Sequence, residues 1–217
     1  TELGDCPFTG KLHMGIRLKQ LPVQLVYIDT KNKPDWYLKL NPNGTVPTLK
    51  YGKHADDIRN MHQDDTIFTD SELSLQFLDD QFASRPPKLQ VENAMAQDLV
   101  GKIFPTFATY LKFKGDDKDN EDFLKLDLDN ALIDLDEYLK RSGMKFLCGD
   151  EPSGLDCNLV HKLYHVRVAG DYYKNFAIPH ECKAVHAYME RAEALEAFQK
   201  SKYPESVVIW GWSKLFE

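Results

Sequence analysis

Cys6, in the run Gly4-Asp5-Cys6-Pro7-Phe8-Thr9, is the residue best placed to do chemistry in this chain. Proline fits the first turn of a helix at no cost in hydrogen bonds, so Pro7 predicts a helix that begins there and leaves Cys6 at its N-terminal end. Helix N-termini present unused N–H groups and the positive end of the dipole, an environment that favours a cysteine in its charged, nucleophilic form. The fourth position is Thr9, which makes this a one-thiol form of the C-x-x-C redox motif. An oxidised Cys6 would need its second thiol from another molecule. A Cys-Pro pair can also be an inert packed cysteine, and its surroundings must decide between the two.

The bulk numbers narrow the setting. At 217 residues the chain can bury about 70% of its unfolded surface, in one large domain or two small ones. Its formal net charge of −7 argues against nucleic acid as a partner, since phosphate-backbone binding rests on dense Lys and Arg contacts. No apolar run approaches the ~20 residues needed to span a bilayer, and the first helix carries Lys11, His13 and Arg17. Cys6, Cys148, Cys157 and Cys182 lack zinc-ligand spacing and are too few for a disulfide scaffold, which suits a reducing compartment and predicts no metal. The Asp-rich run 115–122 reads as a solvated loop.

The elements that must position Cys6 follow. Phe8, Leu12, Ile16 and Met14 or Leu18 make a helical stripe ended at Leu21-Pro22. Val23 to Ile28 reads as a buried strand. Trp36 to Leu40 leads into the turn cluster Asn41-Pro42-Asn43-Gly44, and Val46-Pro47 is a candidate cis bond at the start of a strand. A polar hairpin excursion, 52–65, separates this strand from another at Thr66-Ile67-Phe68. Asp70-Ser71 can cap the helix after it, with apolar positions Leu73, Phe77, Leu78 and Phe82. The order is that of a thioredoxin-like α/β domain lacking its first strand, with a parallel strand pair joined by a crossover helix. Residues 1–82 form this domain, 83–88 with paired prolines are the linker, and 89–217 read as an all-helical domain. In that half, 89–114 is one long segment with a kink expected at Pro105, Phe123 to Leu139 carries the next stripe, and Ser153-Gly154-Leu155-Asp156 resembles a capping box.

Together, the Cys-Pro helix start, the Val-Pro strand start, the Asp-Ser cap and the helical second half resemble the cytosolic glutathione transferase superfamily. The cysteine resembles its omega-type branch. Within it, Leu3-Gly4-Asp5-Cys6-Pro7-Phe8, Lys33-Pro34-Asp35-Trp36, the run 101–107, Lys162-Leu163-Tyr164-His165, Val185-His186-Ala187-Tyr188 and Gly211-Trp212 are similar to runs of the glutathione-dependent dehydroascorbate reductases of plants and algae. The resemblance implies that Cys6 is the catalytic thiol, with Asp5 beside it at the substrate and Trp212 over the ascorbate pocket. It also implies that Val46 offers main-chain groups to glutathione, with Pro47 turning that edge toward the thiol. Asp70 and Ser71 receive the γ-glutamyl end, and Lys33 meets the other carboxylate. Glutathione enters as the reducing co-substrate, with no bound cofactor; the expected state is a monomer without stable membrane association, in cytosol or chloroplast stroma. The sequence departs from the family in that the opening strand, which carries a substrate-facing lysine there, is absent before Thr1. Lys214 stands one residue out of step with a family lysine, and is not equated with it.

Several residues carry plainer readings. Cys148, Cys157 and Cys182 fit small structural or passive thiols. His161 and His165 share a helix face but lack the Glu of H-E-x-x-H, which favours satisfied structural histidines over a metal pair. Phe104, Phe107 and Tyr110 have the spacing of core residues. Other functions with this architecture are an omega-type thiol transferase acting on glutathione mixed disulfides, a protein of the intracellular chloride channel family, and a non-catalytic scaffold module.

Overall fold

The computed structural model describes residues 5–216, so Leu3 and Gly4 of the opening run lie outside the described residues. Helix α1 spans Pro7–Leu18 with Cys6 as its N-cap, as Pro7 dictates. A short helix α2 (Asp35–Leu40) precedes a hairpin of strands β1 (Leu49–Tyr51) and β2 (Thr66–Phe68), paired antiparallel with Leu49 opposite Phe68. Helix α3 (Ser71–Gln81) follows, capped by Asp70 Oδ1, which accepts from Glu72 N–H (2.8 Å) and Leu73 N–H (2.9 Å).

Two sequence expectations in this half are corrected. Val23 to Ile28 forms no strand, and Leu25, Val26 and Tyr27 are exposed. Its β-branched and apolar content suits a ladder, but the only ladder among the described residues joins β1 to β2, so no parallel pair is present. In α3 the buried apolar face is Leu75 and Leu78, whereas Leu73 is 55% exposed.

The second half is helical: α4 (Ala94–Lys112), α5 (Lys118–Ser142), α6 (Gly154–Lys174), α7 (Lys183–Glu193), α8 (Glu196–Gln199) and α9 (Glu205–Ser213). Pro105 sits within α4. Helix α5 starts inside the run expected to be loop, because Asp117 caps it by accepting from Asn120 N–H (3.2 Å) and Asp119 and Glu121 suit the positive end of its dipole. Phe123 and Leu126 in its first turns are exposed, and its buried face begins at Leu128. Ser153 and Asp156 do form a capping box at α6, Ser153 N–H donating to Asp156 Oδ2 (2.8 Å). Helix α9 went unread in the sequence.

What holds the halves in register is α1. A Cβ at Gly10 would overlap the His161 ring of α6, and one at Gly15 would overlap Leu75 of α3, so both glycines permit close helix approach. Buried Lys19, just past α1, pairs with buried Asp79 of α3 (2.6 Å) and donates to Arg85 O of the linker (2.7 Å). Asp79 in turn accepts from Leu89 N–H and Gln90 N–H, both at 3.0 Å. The linker is thus fastened at both ends to the first half.

Candidate active site

The Cys6 side chain makes no capping bond to the α1 amides; its Sγ lies 3.7 Å from Val46 O, as a thiol donor to that carbonyl. Thiol and Val-Pro turn, forty residues apart, are therefore adjacent. The Val46-Pro47 bond is cis. Among the described residues nothing bonds the Val46 N–H, and its carbonyl is met only by the Cys6 thiol.

This turn is fixed from beneath by groups the sequence did not disclose. Fully buried Asn41 donates from Nδ2 to Thr45 O (2.7 Å) and Thr48 Oγ1 (3.1 Å). Buried Tyr37 donates its hydroxyl to Thr45 O and lies 2.9 Å from Thr48 Oγ1. Buried polar groups with several partners are rigid, and these hold the two residues that flank Val46-Pro47. Gly44 (φ 64°) adopts a left-handed conformation in the turn, and the Lys33 stem lies where its Cβ would be, which brings Lys33 beside the same turn. Asp70 and Ser71 lie at the start of α3, after β2; there Asp70 has a structural duty as the cap.

The residues on either side of Cys6 in the chain, Asp5 and Pro7, line a cavity of about 330 Å³ with Phe104, Lys112, His165, Gly211, Trp212, Lys214 and Leu215. Asp5 and Pro7 flank Cys6, and Trp212 comes from α9, so the structure brings together residues more than two hundred apart in the chain. Trp212 packs on Phe107 (5.5 Å between ring centres), Phe104 and His165 and donates Nε1–H to His165 Nδ1 (3.0 Å). Burial pushes the Asp5 carboxyl above its ordinary range, against the pull of its own backbone and of Lys214. Lys112 and Lys214 place two cations around a pocket to which, among the described residues, Asp5 brings the one carboxylate. Burial first, then the charges of Cys6 and Asp5, pushes the Tyr203 hydroxyl well up, so it stays protonated at neutral pH.

Six lining residues, Phe104, Lys112, His165, Gly211, Lys214 and Leu215, carry no local signal of a pocket. Phe104 has the spacing of the core residues Phe107 and Tyr110, but only the latter two are buried. Phe104, His165 and Gly211 lie in the family-like runs and Lys214 falls near a family lysine, whereas Lys112 and Leu215 have no such hint.

The plainer readings hold elsewhere. His161 Nδ1 lies 2.9 Å from Cys157 O and its Nε2 3.2 Å from Ser201 Oγ, a satisfied buried histidine. Cys157 and Cys182 are buried and reduced, and burial raises both thiols, Cys182 to about 11. Cys148 is half-buried. Lys162 is buried and donates to Val100 O of α4 (3.0 Å), a bond within the helical half.

A thiol at a helix start, a cis-Pro edge beside it and a helical half closing the pocket define a class, and comparison with known proteins agrees. The model of the glutathione S-transferase N-terminal domain matches residues 5–81 and that of the C-terminal domain 122–191. The chain belongs to the glutathione S-transferase family. Its relatives there include chloroplastic glutathione S-transferase DHAR3 of Arabidopsis thaliana, 33% identical over 97% of this chain and 74% of the relative. Another is the probable cytosolic glutathione S-transferase DHAR1 of Oryza sativa subsp. japonica, 34% identical over 97% of this chain and 90% of the relative. The crystal structure of Chlamydomonas reinhardtii dehydroascorbate reductase superposes with a TM-score of 0.81 at 27% identity, covering 99% of this chain and 92% of the other. The CLIC homologue EXC-4 of C. elegans reaches the same TM-score at 17% identity, over 99% and 81% of the chains, a likeness of fold alone. Among the described residues no helix is long and apolar enough to cross a membrane.

Proposed function

We propose that this protein reduces dehydroascorbate to ascorbate with glutathione, by a ping-pong path through Cys6. The observation that carries the reading is that Cys6 Sγ reaches Val46 O of the cis-Pro turn while its chain neighbours Asp5 and Pro7 line a cavity with Trp212. The turn suits a thiol peptide and the cavity a small oxygen-rich ring. The DHAR relatives and the Chlamydomonas enzyme supply the substrate class.

In this reading the Cys6 thiolate adds to a ring carbonyl of dehydroascorbate, and the new oxyanion takes a proton. Water attacks the sulfur; the S–C bond breaks, its electron pair leaves with ascorbate, and Cys6 becomes a sulfenic acid. One glutathione displaces that oxygen as water to give the Cys6 mixed disulfide. A second attacks the glutathione sulfur, releasing oxidised glutathione and the Cys6 thiol. Val46 pairs with the cysteinyl part of glutathione and Pro47 aims that edge. Lys33 meets a carboxylate, and Asp70 and Ser71 hold the γ-glutamyl end at the start of α3. Asp5 and Trp212 hold the second substrate, with Lys112 and Lys214 beside its developing negative charge. Residues 1–82 supply the glutathione side, 83–88 the linker and 89–217 the other wall. The protein acts as a monomer in cytosol or chloroplast stroma, with no metal, bound cofactor, nucleic acid or stable membrane association.

Relative turnover of dehydroascorbate and of a glutathionylated peptide tests this. Faster ascorbate formation is expected, because the cavity suits a small ring; a clear preference for the peptide would make the protein a thiol transferase instead.

A further inference from the structure

His165 lies on α6, 2% exposed, and touches neither the thiol nor the glutathione edge, yet it joins the two segments that enclose the cavity. Its Nδ1 accepts from Trp212 Nε1–H at 3.0 Å. Indole can only donate, so Nδ1 carries no proton and the ring's one hydrogen sits on Nε2. His165 and Asp5 line the same cavity, and Asp5 is the residue that continues into Cys6. Burial, with the neighbouring His161, pushes the imidazole down to about 3, so the ring stays neutral and the Trp212 bond fixes its tautomer.

The same two segments meet a second time through Gly211. A Cβ there would overlap the Asp5 carboxylate, so the residue before Trp212 is a glycine where Asp5 needs the space. Phe104 completes the wall, edge-on to His165 (5.9 Å between ring centres, 82°) and to Phe8 of α1 (6.3 Å, 77°). Asp5 thus shares the cavity wall with His165 of α6 and packs its side chain against Gly211 of α9.

We propose that His165 is a positioning residue for this reaction, acting through the Trp212 indole and through its place beside Asp5 in the cavity wall to set the cavity against the Cys6 thiol. The inference rests on the reading of Cys6 as the reacting thiol. It predicts that dehydroascorbate binding and Cys6 reactivity change together while glutathione binding, at the Val46 turn, does not.

The test compares full-length wild type, His165→Leu and His165→Gln. Gln offers an amide N–H and a carbonyl in place of the two ring nitrogens; Leu offers neither. His165→Leu is expected to raise the KM for dehydroascorbate about tenfold, the effect of one buried hydrogen bond left unmade, with the KM for glutathione unchanged within twofold. His165→Gln is expected to recover most of that loss. Alkylation of Cys6 by iodoacetamide, read by mass spectrometry, should differ from wild type in the Leu variant and return toward it in the Gln variant. If the two variants are equally impaired, or if Leu leaves both KM values and the alkylation rate unaltered, His165 is only packing and the inference is overturned. Should the Leu variant not fold, Gly211→Ala takes its place, since it displaces the Asp5 carboxylate from the other side; an unchanged KM for dehydroascorbate in it also overturns the inference. Alkylation needs no substrate, so failure of wild type to form ascorbate would count against the proposed function while the comparison of Cys6 reactivity still decides the role of His165.

Discussion

Replacing Lys19 by Met removes the cation at the centre of the fastening between α1, α3 and the linker. Lys19 and Asp79 have side chains only 1% and 7% exposed, 2.6 Å apart, so water screens their attraction little. The substitution leaves the Asp79 carboxylate buried without a countercharge and takes the ammonium from Arg85 O and Phe82 O. Losing one partner of a buried pair costs about 3–5 kcal/mol. Asp79 keeps two amide donors, from Leu89 and Gln90, which favours the lower end, about 3 kcal/mol. For a chain of this size each kcal/mol moves the melting point by roughly 2–4 °C, so the shift is about 6–12 °C. Guanidinium unfolding at pH 7, with thermal melts followed by circular dichroism, measures both. The pH dependence has a definite sign. Burial alone would raise Asp79, but the Leu89 amide, Lys19 and the Gln90 amide together hold it below its ordinary 3.8. A carboxylate lowered in the folded state adds stability at pH values above its unfolded pKa, and that stability is lost as pH falls through the folded value. The penalty of Lys19→Met should therefore shrink on acidification below about pH 4. A loss under about 1 kcal/mol at pH 7 is the behaviour of an exposed pair and would refute the reasoning.

Other predictions concern the glutathione edge and the buried bases. Asn41→Ala removes one of the two donors to Thr45 O and loosens the Val46-Pro47 turn, so S-hexylglutathione, titrated calorimetrically, should bind about tenfold more weakly, in line with one lost buried hydrogen bond; unchanged affinity would mean the turn holds itself. Burial, the first cause in each case, lowers His161 to about 4 and His165 to about 3, from an ordinary 6.5. The unfolded chain then binds more protons between those values, so stability falls as pH drops from 6.5 toward 4, and His161→Gln should make that fall shallower in denaturant titrations. Lys162 is lowered to about 8 from 10.5, chiefly by burial. By the same sign rule wild type gains stability between about pH 8 and 10.5, and Lys162→Met should lack that gain.

Much of the thiol side was legible from local chemistry. Pro7 after Cys6 gives the helix start, Asp70 the cap of α3, and Val46-Pro47 the cis bond, because each depends on neighbouring residues. Val23 to Ile28 was misread because a strand is a relation between segments, and apolar content does not say whether a partner lies alongside. Leu73 was misplaced by a two-position error in the helical face, which only packing against Leu12 and Ile16 resolves. The cavity was least legible. Asp5 and Trp212 were named through resemblance, whereas Phe104, Lys112, His165 and Gly211 become neighbours only when α4, α6 and α9 close on the start of α1. The cap that opens α9 is Pro204, with no side-chain hydrogen bond, which is why that helix gave so weak a signal.

The most direct test of the central claim is glutathione-dependent formation of ascorbate, followed by its absorbance, with wild type and Cys6→Ser side by side. Turnover by wild type and none by Cys6→Ser above the uncatalysed reaction is the predicted result. Equal rates in the two proteins, or no wild-type rate above background, would contradict it.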